Sequence, residues 1–455
     1  MSRLVVISNR IPTDAQPSGG LVVALHEALE RHGGVWIGSS GTIVEEPGED
    51  LTQIAERPYQ RLAFDLTEAE HEGFYLGYAN SVLWPLFHHR ADLISVRATD
   101  RAAYRAVNAR VARMVARVLR PDDVVWVHDY HFLPLAAELR ALGVTARIGF
   151  FLHIPFPSAA NLPALPDRKA LPDWLAAYDL VGLQTRRDVA ACLDGLRSEG
   201  GTEVLLNGRL RRGERVFEVR SFPIGIDVDG FAEAARSADA DPITLPPGQK
   251  LVLGVDRLDY SKGLPQRFEA FGRYLRDREP GDTRATLLQI APPSREDVEA
   301  YQDIREELER MAGSVNGAHA ELDWTPIRYL RRPLPRETLA GLYRRADVGF
   351  VTPLADGMNL VAKEFVAAQD GADPGVLVLS HFAGAAEQLD AAVLVNPYDT
   401  SDMARGLRRA LTMSLSERQA RFLDLIATIR ETDIAWWTAT YLGALTGRTG
   451  TLKVA

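Results

Sequence analysis

The stretch Val351-Thr-Pro-Leu-Ala-Asp-Gly-Met-Asn-Leu-Val-Ala-Lys-Glu364 reads as a strand end, a sharp loop and the first turns of a helix. Val348-Gly-Phe-Val351 is a short apolar run suited to a buried strand, Asp356-Gly357 interrupts it, and 360–369 has a helical composition. The loop therefore sits at a helix N-terminus, where backbone N–H groups lack intrahelical partners and the macrodipole is positive. A phosphate can settle there on Gly357, Met358, Asn359 and Leu360. Gly357 has no Cβ to obstruct it. Glu364 follows Asn359 by about one turn, within reach of a ribose diol, and Asp356 precedes the helix where it can hold a sugar hydroxyl. Joints of this kind are common, so other stretches must decide whether this one is a site.

Working outward, apolar runs alternate with helical ones on both sides of it. Strand-like segments fall at 4–8, 35–38, 124–128, 147–153 and 180–184, with helices at 21–31 and 101–120 between them. A second series runs from 250–255 through 264–276, 285–290, 294–311, 337–346, 348–351 and 360–368 to 376–379. Strand-helix alternation means parallel sheets covered on both faces by helices, an α/β class. The first half is Rossmann-like. The stretch 232–250, rich in Ala, Asp and Pro, reads as the crossover between two domains. The closing helical stretches, 400–413 and 416–445, carry Trp436 and Trp437, suited to packing the tail back on the first domain. Expected boundaries are 1–230, 231–430 and a C-terminal helix and tail at 431–455.

The length of 455 residues suits two such domains. Apolar content of 46%, charged content of 25% and a net charge of −9 with mixed signs favour neither nucleic acid nor an anionic membrane as partner. A phosphorylated ligand then requires locally placed cations. Cys192 is the single cysteine, which excludes an intrachain disulfide and suits a reducing compartment. With no long apolar run and no signal-like N-terminus, a cytoplasmic protein is expected.

Ligands of open α/β sheets bind beyond the carboxyl ends of the strands. Arg10, Asp129, His153, Arg257 and Asp356 all fall just after expected strands. Ser8-Asn-Arg10 followed by Gly19-Gly20 offers a guanidinium and a glycine-opened helix to a phosphate; a mobile loop with a glycine pair reads equally well. Asp256-Arg257-Leu-Asp-Tyr-Ser-Lys262-Gly263 sets two long cations on one loop, positioned to converge on a diphosphate. Their other reading is pairing with Asp256 and Asp259. Pro293-Ser-Arg295 offers a further exposed cation. Trp126-Val-His128-Asp129-Tyr-His131 suggests a metal, but alternation along a strand parts these side chains and no further carboxylate or cysteine lies at ligand spacing. Asp129 suits an acceptor hydroxyl better, with His153 lining a sugar. Trp84, near Tyr75, has a face suited to a sugar and equally suited to a core. The chain carries neither GxxxxGK[ST] nor an intact GxGxxG.

Together, Ser-Asn-Arg10, Gly19-Gly20, Leu-Trp84-Pro, His-Asp129-Tyr-His, Leu-His153-Ile-Pro-Phe-Pro, Asp-Arg257-Leu-Asp-Tyr-Ser-Lys262-Gly, Pro-Ser-Arg295 and Asp356-Gly-Met-Asn-Leu-Val-Ala-Lys-Glu364 resemble the trehalose-6-phosphate synthase family, over nearly the whole chain. The resemblance implies a GT-B fold, two Rossmann-like α/β/α domains with the active site in the cleft between them. It implies a retaining, metal-independent glycosyltransferase, without cofactor, moving glucose from a nucleoside diphosphate glucose, UDP-glucose foremost, to C1 of glucose 6-phosphate. By the same resemblance His153, Asp129, Arg257, Lys262 and Asp356 form the catalytic group. Arg10, Gly20, Tyr75, Trp84, Asp129 and Arg295 bind the acceptor. Gly20, His153, Arg257, Lys262, Arg336, Asp356, Gly357, Met358, Asn359, Leu360 and Glu364 bind the donor. A homo-oligomer, dimer or tetramer, is expected, with small molecules as the other partners. A diphosphate held by two cations leaves without a general acid, and no glycosidase-like carboxylate pair is evident, so front-face attack is the expected path. Two alternatives keep the same clamps: a relative coupling a nucleotide-cyclitol to an amino-cyclitol phosphate, and a non-catalytic sugar-phosphate sensor. The Arg331-Arg-Pro-Leu-Pro-Arg336 setting leaves the donor base open among uridine, guanosine and adenosine.

Overall fold

The computed structural model describes residues 2–12, 22, 25, 26, 28–30, 33–238, 243–246, 248–278, 282–293 and 299–447. Two compact units make up the chain. The first comprises residues 1–223 and 435–455, the second 224–434.

The first unit is built on a ten-stranded sheet among the described residues. Its strands are β1 (Leu4–Arg10), β2 (Gly34–Val44), β3 (Thr52–Ala55), β4 (Gln60–Thr67), β5 (Val124–His128), β6 (Arg147–Phe151), β7 (Leu180–Leu183), β8 (Thr202–Val204), β9 (Leu210–Arg212) and β10 (Arg215–Ser221), in the order β3-β4-β2-β1-β5-β6-β7-β10-β9-β8. The run from β4 to β10 is parallel, while β3, β9 and β8 attach antiparallel at the margins. Every residue of β5 and β7 is buried, as expected for strands covered on both faces. The helix Ile434–Thr446 lies on this sheet. Gly149 and Gly182 make room for it, since a Cβ at either position would collide with the Tyr441 ring or its hydroxyl. The Tyr441 hydroxyl donates to Phe150 O at 3.0 Å, and its ring stacks on Trp126 with centroids 4.6 Å apart.

The second unit carries a six-stranded, fully parallel sheet. Its strands are β11 (Lys250–Val255), β12 (Ala285–Ile290), β13 (Ile327–Leu330), β14 (Val348–Val351), β15 (Val376–Ser380) and β16 (Val393–Val395), ordered β13-β12-β11-β14-β15-β16. From β11 the chain adds strands outward on one side, then restarts on the other side with β14. That reversal opens a crevice past the carboxyl ends of β11 and β14, the usual ligand position in such sheets.

Two elements differ from the sequence reading. The stretch 416–445 is two helices, Leu415–Glu431 and Ile434–Thr446, parted at Thr432-Asp433. And 232–250 is no crossover: the helix Val228–Ser237 packs within the second unit, whose chain enters at Ile224. No described helix is long and apolar enough to cross a membrane.

Candidate functional site

The β11–β14 crevice assembles the residues of the opening stretch. After β11 the chain makes a tight turn, Tyr260–Lys262, and then Gly263 adopts φ 64°. A side chain on Gly263 would strike Thr352 O, so both the left-handed backbone and the close approach require glycine there. The loops after the two strands are bonded together, Leu354 N donating to Ser261 O at 2.8 Å. This seats Lys262 against Asp356: Nζ donates to Oδ2 at 2.6 Å, with both side chains largely buried. The same Oδ2 accepts from Asn359 Nδ2 at 3.0 Å.

Asn359 caps the helix Leu360–Ala368 from a left-handed backbone, φ 75°, its Oδ1 accepting from Ala362 N at 3.1 Å. Asparagine is one of the few side chains that tolerate this conformation and cap from it. The helix-start N–H groups before Ala362 remain turned toward the loop end, where an anion is favoured. Backbone bonds fix the loop itself, Asp356 N to Phe382 O at 3.1 Å and Ala385 N to Met358 O at 2.8 Å. One turn on, Glu364 accepts from the Tyr343 hydroxyl at 3.5 Å. Burial pushes its carboxyl up to about 7, against the pull of Arg336 and Tyr343. Arg336, exposed at the start of the helix Arg336–Arg345, lies over Phe231 at 5.4 Å. Arg257 is exposed beyond β11.

Behind these residues lies a cation that the sequence reading missed. Arg267 is fully buried and donates to Asp256, to Gln289 Oε1 at 2.9 Å and to Thr352 Oγ1 at 3.0 Å. It thus joins the ends of β11 and β14 and occupies Asp256, one of the two acids beside the loop cations. In sequence it is one arginine among many on helices, and only the fold marks it.

In the first unit the carboxyl ends of β1, β5 and β6 carry a second group. Arg10 closes β1 and lines a cavity with Tyr75, His71, Ser39 and Gly41. Tyr75 belongs to His71–Leu83, thirteen residues wound with wide π-type turns, where Asn80 Nδ2 donates to Tyr75 O at 2.8 Å. Such turns are rare and concentrate at functional sites, and no sequence signal announced this one. Trp84, next in the chain, is 4% exposed and packs against His88 and Tyr130, which leaves little of its surface to a ligand.

Asp129 stands just beyond β5 at φ 73°, ψ 168°, a region otherwise almost reserved for glycine. The strain, on the order of 1–3 kcal/mol, is held by Asp129 N donating to Phe151 O at 2.8 Å and by His153 N donating to Asp129 Oδ1 at 3.2 Å. Among the described residues only His89, Asp129 and Asn359 combine a side chain beyond glycine's with positive φ, and two of the three are at these strand ends. His153 meets His128 edge to edge, Nε2 to Nδ1 at 3.0 Å with ring planes 24° apart. Burial lowers both imidazoles, His153 to about 3, so both are neutral rings.

Two expected contacts, Gly20 and Arg295, lie outside the described residues. Among those described, no group of three or more His, Cys, Asp or Glu is placed to hold a metal. Of the others, Arg10 and Tyr75 share one cavity and Asp129 is bonded to His153 in the first unit, while Lys262, Asp356 and Asn359 form one cluster in the second, with Glu364 one turn further along the helix.

Known proteins are similar to this chain over nearly its whole length. The family model described as Glycosyltransferase family 20 matches residues 5–446. The trehalose-6-phosphate synthase of Sodalis glossinidius is 44% identical over 457 residues, spanning 98% of this chain and 96% of that protein. An α,α-trehalose-phosphate synthase (UDP-forming) from Burkholderia xenovorans, solved in complex with glucose-6-phosphate, superposes with a TM-score of 0.93 at 44% identity, covering 98% of this chain and 100% of that one. A structure from E. coli bound with UDP-2-fluoro glucose gives 0.92 at 44% identity, covering 98% and 99%.

Proposed function

We propose that this chain, which belongs to glycosyltransferase family 20, is a trehalose-6-phosphate synthase that moves glucose from UDP-glucose to C1 of glucose 6-phosphate with retained configuration. The observation that carries the donor half is the Lys262–Asp356–Asn359 cluster at the start of the helix Leu360–Ala368. A diphosphate there meets backbone N–H groups, the Lys262 ammonium and Arg257, while Glu364, one turn on, accepts from the ribose diol. Arg336, beside Phe231 and within the field of Glu364, flanks the base. The acceptor half rests on the cavity shared by Arg10 and Tyr75, which offers a guanidinium to the 6-phosphate, with Asp129 held to receive a sugar hydroxyl. The glucose 6-phosphate complex of the Burkholderia relative and the UDP-2-fluoro glucose complex from E. coli support both halves.

The neutral His153 lines the donor sugar as a hydrogen-bonding group and does not serve as an acid. As the glycosidic bond breaks, negative charge grows on the leaving diphosphate, where Arg257, Lys262 and the helix start stabilise it. The departing phosphate oxygen takes the proton of the incoming C1 hydroxyl on the same face. The enzyme is taken to act as a homo-oligomer in the cytoplasm. A donor panel tests the reading: with glucose 6-phosphate, UDP-glucose should release nucleotide and form a disaccharide phosphate. Release confined to GDP- or ADP-glucose would change the base assignment, and none with any donor would refute the activity.

Two further outcomes follow. Arg10→Ala should weaken glucose 6-phosphate binding by about 2 kcal/mol, the loss of a charge-assisted contact, and leave nucleotide affinity unchanged in calorimetric titrations. For Glu364, only the ionised carboxylate accepts from both ribose hydroxyls, and its folded value lies near 7. UDP-glucose affinity should therefore rise as pH climbs from 6 to 8, and Glu364→Gln should bind more weakly with that dependence flattened. Ligand-free stability runs the other way. A folded carboxyl raised above its unfolded value contributes stability at low pH that is lost as pH rises through about 7.

A further inference from the structure

Lys363 precedes Glu364 by one position and has had no role so far. It is fully buried on the helix Leu360–Ala368, next to Glu364. Its Nζ donates to Ile224 O at 2.8 Å and to Gln388 Oε1 at 2.8 Å. Among the described residues no carboxylate acts on it, and burial pulls the amine down to about 7. An aliphatic side chain could fill the space without burying an ionisable group, so what the amine holds matters.

What it holds is the place where the chain enters and leaves the second unit. Ile224 is the first residue of that unit and Ile434 the last. The entering and leaving segments are fastened to each other. Ile434 N donates to Ile226 O at 3.1 Å, and Gly225 lies so close to the Thr432-Asp433 backbone that a Cβ would collide with it. Gln388, the second partner of Lys363, extends the tie by donating from Nε2 to Thr432 Oγ1 at 3.1 Å. One amine therefore links the helix that begins at the phosphate-binding turn to both crossings.

These crossings are the only covalent connections between the units, because the chain has one cysteine and no disulfide. On the reading above, which this inference rests on, the transferred glucose is held by the second unit and its acceptor by the first. We propose that Lys363 is a positioning residue for glycosyl transfer: it fastens the donor helix to the segments where the chain enters and leaves the second unit, and so holds the donor sugar in place for attack by the acceptor. The residue touches neither substrate. Its loss should thus affect transfer to glucose 6-phosphate and spare nucleotide binding, and it should also spare slow hydrolysis of UDP-glucose, in which water replaces the sugar acceptor and yields glucose and UDP.

The test uses the full chain with Lys363→Met, which keeps length and burial, and Gln388→Leu, which cuts the link without touching the donor helix. UDP affinity by calorimetry should stay within about threefold of wild type. Transfer turnover should fall about tenfold to a hundredfold, the range expected from small misplacements of reacting groups, and the transfer-to-hydrolysis ratio should fall with it. Gln388→Leu should show the same pattern more weakly. Equal losses of UDP affinity and transfer, or an unchanged ratio in a folded variant, would overturn the proposal. If Lys363→Met does not fold, the ratio in Gln388→Leu decides. A wild-type chain that transfers no glucose at all would instead refute the activity.

Discussion

Replacing Lys262 by alanine should lower turnover by about two to three orders of magnitude, the cost typical of removing one preorganised group that meets developing charge. UDP-glucose affinity should fall far less. The ammonium is fixed before any ligand arrives, bonded to Asp356 at 2.6 Å in a largely buried pair. Its orientation is therefore set by the fold, and its remaining donors are available to a diphosphate. On the proposed reading, the bound diphosphate shares its ground-state charge with Arg257 and the helix start, whereas the charge added as the bond breaks lacks such prior compensation. Steady-state kinetics with calorimetric UDP titrations separate the effects. Parallel losses in affinity and turnover would make Lys262 a ground-state binder. Asp356→Asn should give a milder version of the same split, because Asn359 still contacts that position while the lysine loses its charged partner.

The second large effect falls on stability. Arg267→Met should cost about 3–5 kcal/mol, because removing one member of a buried ion pair strands the other. The melting temperature should drop on the order of 10 °C. Asp256 is already pushed up by burial with Arg267 in place. Without the guanidinium its carboxyl must take a proton to stay buried, which is easier in acid, so the loss should be smaller at pH 5 than at pH 8. Adding Asp256→Asn should restore part of the stability by removing the stranded charge. A melting temperature unchanged by Arg267→Met would show that Gln289 and Thr352 hold the two strand ends without it.

Much of the framework was legible because parallel strands covered on both faces must be apolar from end to end. Val124–His128 and Val348–Val351 are such runs, and both ends proved to carry the groups singled out. The candidate residues beside them stood out because loops after strands concentrate Gly, Asp and long cations in short spans. What stayed hidden depends on partners far along the chain. The Lys363 amine meets Ile224, 139 positions away, and nothing in Ala362-Lys363-Glu364 marks which side chain turns inward. The break at Thr432-Asp433 lies where that backbone packs against Gly225, and a continuous helical composition over 416–445 concealed it. The wide turns of His71–Leu83 and the strained Asp129 are tertiary outcomes of the same sort, invisible to propensity.

Retention in transfer to glucose 6-phosphate is read from proton NMR of the purified product. UDP-glucose and glucose 6-phosphate should give a single non-reducing disaccharide phosphate in which both anomeric protons show the small coupling of α linkages. A large coupling on the transferred glucose would mean inversion, and UDP release with free glucose as the only sugar product would mean hydrolysis in place of transfer.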